Sequence, residues 1–212
     1  MQLNEFMHKN YPNLELRPPL FYSWDIGIRF ELGVEWKRDY DYPNNPYILR
    51  CYKRAITLFE SVHSPTEDIF VVIDVNDFVK GKNLKHQLKN FRLYVKKPLL
   101  FSLKYQELPY IFPEDDEEGT YKTHRFTLKC KTSDFKYVSL LKAICNQDMG
   151  LEPRIFHRVY FININRKTIF HVYDDRGCDL LATSSATIRD VYSRYNDWIL
   201  DYDRPEIEKV FN

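Results

Sequence analysis

Apolar residues recur along this chain with two different periods, and the change of period marks out its elements. In Val159–Thr183 (VYFININRKTIFHVYDDRGCDLLAT), β-branched and aromatic residues crowd together and are broken by two polar clusters. The run predicts three strands, Val159–Ile164, Thr168–Tyr173 and Cys178–Thr183, joined through Asn165–Lys167 and Asp174–Gly177. Val159 and Phe161 fall on one face of the first strand, and Tyr160, Ile162 and Ile164 on the other. A strand apolar on both faces belongs in the middle of a sheet. Gly177 has no Cβ to clash at a tight turn, so it closes the connection Asp174-Asp175-Arg176-Gly177.

The same patterns place the remaining elements. Ile26–Val34 reads as a strand with Ile26, Ile28, Phe30 and Leu32 on one face and Arg29 and Glu31 on the other. Asp68–Asp74 reads as a second buried strand, and Thr123–Lys131 as a half-buried one that alternates cleanly. A spacing of three and four predicts helices over Pro46–Val62, Asp134–Asn146 with Ser133 as its N-cap, and Ala186–Tyr202. Short helices are expected at Leu3–Lys9 and from Pro205, and Trp36–Pro46 reads as a long surface connection. These elements predict an α+β fold: a mostly antiparallel sheet of five or six strands, with helices packed largely on one face.

Composition narrows the class. The 212 residues carry neither an internal repeat nor a Gly/Ser linker, so a single domain over 1–212 is expected. A net charge of +1 offers no overall field to draw the molecule onto nucleic acid. No run approaches the roughly 18 apolar residues of a membrane helix, and the polar first residues do not read as a signal peptide. The expectation is a soluble, cytoplasmic protein. Cys51, Cys130, Cys145 and Cys178 are scattered in apolar runs, which reads as buried free thiols. The histidines show no ligand spacing, and His171, within an apolar strand, reads as a hydrogen-bonded core residue. No metal or cofactor is expected. GxSxG, P-loop, HExxH and GxGxxG motifs do not occur.

Three charged features remain. Arg50 and Arg54 share a helix face, repel each other, and gain by meeting an anion. That anion is Glu31 or Asp174 and Asp175 within the protein, or a phosphate or carboxylate outside it; otherwise both arginines are simply solvated. Arg29, Glu31, Arg50, Arg54, Asp174, Asp175 and Arg176 therefore form a candidate charged corner, which holds either a substrate or a structural ion-pair network. Glu114, Asp115, Asp116, Glu117 and Glu118 form an acidic loop. Lys80, Lys82, Lys85, Lys89, Arg92, Lys96, Lys97 and Lys104 interleave with Phe91, Tyr94, Phe101 and Tyr105, a combination that suits single-stranded nucleic acid although no RNP or GXXG motif accompanies it.

RFELG at Arg29–Gly33, the helix bearing Arg50 and Arg54, and FIN...IFHVYDDRGCD...YNDWILDYDR from Phe161 to Arg204 resemble a bacterial domain-of-unknown-function family of low-GC Gram-positive bacteria. The resemblance covers most of the chain and is weakest over the basic and acidic segments. It brings no catalytic residues; it implies small stand-alone cytosolic proteins, a class that includes immunity proteins to toxins. The leading expectation is a protein-binding protein of immunity type that uses the acidic loop or the charged corner. The alternatives are an enzyme acting on a small anionic or nucleotide-like substrate at the corner, and a nucleic-acid-binding module using 80–104.

Overall fold

The computed structural model describes residues 1–36, 45–77 and 91–212. The expected surface connection falls mainly in 37–44, and Lys80, Lys82, Lys85 and Lys89 fall in 78–90, so both lie outside the described residues.

Seven strands form one sheet: β1 Gly27–Glu31, β2 Asp68–Asp77, β3 Lys104–Pro109, β4 Lys122–Lys131, β5 Arg158–Asn163, β6 Thr168–Val172 and β7 Gly177–Ala182. Their order is β1-β7-β6-β5-β2-β4-β3, and every neighbouring pair is antiparallel. The count exceeds the expected five or six because of β3 (KYQELP). It lies at the sheet edge and is mostly exposed, so it carries no alternating apolar signal.

Among the described residues the α-helices are α1 Leu3–Asn10, α2 Pro46–Val62, α3 Tyr137–Cys145, α4 Ser185–Arg194 and α5 Arg204–Phe211. α2 covers the predicted residues; Asn45 Oδ1 caps it by accepting the Tyr47 amide at 2.9 Å, and Pro46 occupies its first turn. α3 starts later than expected. Ser133 lies in a 3-10 turn, Thr132–Asp134, which Asp134 closes by accepting the Lys131 amide at 3.0 Å. α4 ends at Arg194, not near Tyr202. Ile199 instead bridges to Phe30 of β1, and the Leu200 amide donates to the Arg29 carbonyl at 3.1 Å. Tertiary pairing at the sheet edge overrides a helical apolar spacing there.

The two sheet faces differ. On one, Phe30, Leu180, Phe170, Phe161, Val71 and Leu128 pack against the apolar stripes of α2, α3, α4 and α5. On the other, Phe70, Val72, Tyr160, Ile162, Ile169 and Leu181 meet Leu3 and Phe6 of α1 together with Tyr11, Leu14, Leu16 and Leu20. This second face is apolar only where α1 and its following segment cover it. One step further along the strands it turns polar, and the site begins there.

Candidate functional site

β1 brings Arg29 to the polar half of the second face. In the β1–β7 register it lies opposite Asp179, whose oxygen accepts the Arg29 Nε–H at 2.9 Å. Arg29 Nη1 lies 3.5 Å from Asp203, just before α5, and Tyr22 donates to the same carboxyl group at 2.7 Å. The guanidinium also stacks over the Tyr22 ring at 4.6 Å. Burial pulls its pKa down, but the hydrogen bond and charge of Asp179 outweigh that and hold it above the ordinary arginine range. A cleft of about 550 Å³ opens beside it, lined by Arg29, Glu31, Tyr173, Arg176 and the Pro18-Pro19 strap.

The rest of the charged corner splits across the edge of β1. Arg54 donates to the Glu31 carbonyl at 2.7 Å and stacks over Trp198 at 5.0 Å. Arg50 donates to the Val34 carbonyl at 3.1 Å and to Glu35 at 2.9 Å. Asp174 shapes its own turn by accepting the Arg176 amide at 2.8 Å, and it pairs with the Arg176 guanidinium. Asp175 is buried and accepts the Tyr47 hydroxyl at 2.5 Å. Burial raises the Asp175 pKa, and Asp174 adds to the effect; the Tyr47 bond opposes both. Arg29, Glu31 and Arg176 therefore share a cleft, whereas Arg50, Arg54 and Asp175 face other partners. Each arginine has a bond within the chain.

Gly33 is packed tightly against the Tyr47–Asp175 pair. A Cβ there would collide with the Tyr47 hydroxyl and sit 2.8 Å from the Asp175 carbonyl oxygen. Gly33→Ala is expected to lower stability by about 1–3 kcal/mol. Thermal unfolding of the variant checks this, and an unchanged midpoint would show that the pair shifts freely.

The acidic loop joins β3 to β4. Asp116 closes it by accepting the Thr120 amide at 3.0 Å and the Tyr121 amide at 2.8 Å. Phe112 is flanked by Arg17 at 4.9 Å and Arg158 at 4.6 Å, and Tyr110 stacks edge-on against Tyr121. Glu114 pairs with Arg17, and Glu114, Asp115, Glu117 and Glu118 are exposed. Of the described basic residues, Lys96 pairs with Asp134 at 2.7 Å and Lys104 bonds to Gln2.

Sequence reasoning missed Asp179, Asp203 and a second buried pair, Arg125–Asp74, joined at 2.8 Å and 2.6 Å. The signal was present. Asp179 and Asp74 are acidic residues inside apolar strand runs, and a buried charge demands a partner. All four cysteines are free and buried. Among the described residues, no three His, Cys, Asp or Glu side chains cluster as metal ligands, and no helix is long and apolar enough to cross a membrane.

Fold and site together define an α+β protein built on one seven-stranded antiparallel sheet, whose second face is half apolar and half a paired polar array. The chain belongs to the bacterial family described as "Domain of unknown function (DUF3885)", which it matches over residues 3–203. It is 30% identical over 211 residues to "Uncharacterized protein YnaE" of Bacillus subtilis (strain 168), an alignment covering 95% of this chain and 99% of that protein. No solved structure matches it.

Proposed function

We propose that this is a protein-binding protein whose acidic loop engages a basic surface on its partner, the arrangement of an immunity protein that caps the basic face of a toxin. The observation that carries this reading is the preorganisation of the loop. Asp116 is spent on two backbone amides and Phe112 is clamped between two arginines, while Asp115, Glu117 and Glu118 project into solvent. A loop already in one shape has less ordering entropy to lose on binding, and clustered like charges speed encounter with an opposite surface. Apolar contact area lies in the segment that feeds the loop, where Phe101 is 90% exposed and Tyr105 is 52% exposed.

The test is the triple variant Asp115→Asn, Glu117→Gln, Glu118→Gln, compared with wild type on the protein that wild type retains stoichiometrically from a lysate of the source cells. Asp116 is left intact because it holds the loop. Expected are a loss of affinity of tenfold or more, a weaker dependence of association rate on salt, and an unchanged melting point. Retention of no stoichiometric protein by wild type, or equal binding by the variant, would overturn the reading.

A further inference from the structure

The second sheet face has another polar region, at the β3 edge beside the start of α1. The register sets three rows of side chains there. Lys129 of β4 lies opposite Phe70 of β2, Thr127 lies opposite Lys104 of β3, and Arg125 lies opposite Gln106 of β3. The Tyr105 ring is outside this set, since it packs 5.3 Å from the Phe126 ring on the first face. These rows, together with Gln2, Leu3 and Asn4, enclose a hollow of about 400 Å³. Small-molecule sites occupy roughly 300–1,000 Å³. Leu3 and Phe70 supply its apolar walls.

The charges around this hollow do not balance. Its lining holds Lys104, Arg125 and Lys129 but no Asp or Glu among the described residues. Asp74 neutralises Arg125, accepting from it at 2.8 Å and 2.6 Å. Two positive charges are left over. Lys104 donates to the neutral side chain of Gln2, and no carboxylate among the described residues pairs with Lys129. The two lysines are diagonal neighbours across the β3–β4 pair, a spacing of roughly 7–8 Å between backbones, so each raises the cost of the other. An anion between them removes that cost.

Arg125 adds what two exposed lysines lack, a donor already fixed in place. Its side chain is only 14% exposed. Asp74 holds Nε and Nη2, and Nη2 also donates to the Leu16 carbonyl at 3.3 Å. Nη1 has no hydrogen-bond partner among the described residues and keeps its N–H groups for a ligand. A side chain already held in one rotamer has little freedom left to lose on binding.

We infer that this hollow binds a small phosphomonoester, with the phosphate between Lys104, Lys129 and Arg125 Nη1 and the organic part against Leu3 and Phe70. A phosphomonoester carries about −1.5 to −2 charge at neutral pH, which matches two uncompensated lysines; a carboxylate matches only one. Its acceptor oxygens suit converging charged donors. The site draws on neither the charged corner nor a protein partner, and it does not rest on the acidic-loop reading.

The test is titration of the isolated, ¹⁵N-labelled whole chain with phenyl phosphate, read from the backbone amide shifts of Lys104, Thr127 and Lys129. Inorganic phosphate, benzoate and phenol are the comparison probes. Expected are saturable shifts with phenyl phosphate, binding at least tenfold tighter than that of inorganic phosphate or benzoate, and no shift with phenol. Lys104→Gln combined with Lys129→Gln should weaken phenyl phosphate at least tenfold at an unchanged melting point. Lys209→Gln, on α5 against the other sheet face, should leave the midpoint in place. Shifts that grow linearly without saturating, or equal weakening by Lys209→Gln, would mean an adventitious ion only and would overturn the site. So would full-strength binding by the double lysine variant. Equal affinity for benzoate would overturn the phosphate class, and equal affinity for inorganic phosphate would overturn the role of Leu3 and Phe70. No partner is present, so failure here is distinct from failure of the acidic loop to bind one.

Discussion

Replacing Arg29 with methionine is expected to lower the stability of the fold by about 3–5 kcal/mol, the usual cost of stranding buried charge by removing its partner. The guanidinium side chain is only 11% exposed, and the two carboxylates that it serves, Asp179 and Asp203, are 0% and 3% exposed. These carboxylates come from β7 and from the residue just before α5, so one side chain fastens both to the edge strand β1. Methionine keeps an unbranched apolar stem but loses the guanidinium that stacks over Phe21 and Tyr22 and leaves Asp179 and Asp203 without their cation. Urea unfolding at neutral pH measures the loss. Adding Asp179→Asn to the variant should restore part of it, with a coupling of about 0.5–3 kcal/mol between the two positions. A loss below about 1 kcal/mol for Arg29→Met would place this pair among exposed ion pairs of little consequence.

The same residue shows where sequence reasoning reaches and where it stops. Arg29 was identifiable as a charge on the less apolar face of a strand, but its partners were not. Its register with Asp179 joins positions 150 apart, and no local pattern encodes that pairing. α2 was legible to the residue because its signals are local: a proline at the first turn, a cap before it and one continuous stripe. β3 was invisible because an exposed edge strand has no buried face to impose alternation. The end of α4 was misplaced because Ile199 has a helical spacing yet pairs with Phe30 across the sheet edge. At the candidate site, Asp174 and Asp175 were identified as turn residues beside Arg176, and they form such a turn. The polar array on the second sheet face was hidden because Tyr160 and His171 count as ordinary strand residues until the register sets them side by side.

Acid should unfold this protein earlier than its carboxylates alone require, and His63 supplies one reason. It ends α2, stacks on Phe59 at 4.0 Å, and lies 2.9 Å from the Phe59 carbonyl through Nδ1. Burial lowers its pKa from 6.5 to about 4, against the backbone bond and the charge of Glu67, which favour the protonated form. Between those values the unfolded chain binds a proton that the folded chain refuses. Stability is therefore complete above about pH 6.5 and falls at about 1.4 kcal/mol per pH unit below it, a loss of about 3 kcal/mol by pH 4 from this group. His171 is shifted the same way by burial and adds to the slope. Glu67, raised by burial but lowered further by Arg166, the Ser64 amide and Asn163, withdraws its own contribution as pH falls below its unfolded value of 4.5. Asp175 acts in the opposite sense. Its folded pKa is raised above 3.8, so it favours the folded state at low pH and loses that effect as pH rises. Urea midpoints taken from pH 7.5 to 4.5 give the slope. His63→Gln keeps a donor for the Phe59 carbonyl and cannot titrate, so its slope should be shallower by about one proton over this range. An unchanged slope would mean that His63 gains access to water before the chain unfolds, and that the stacked end of α2 opens as a separate local event.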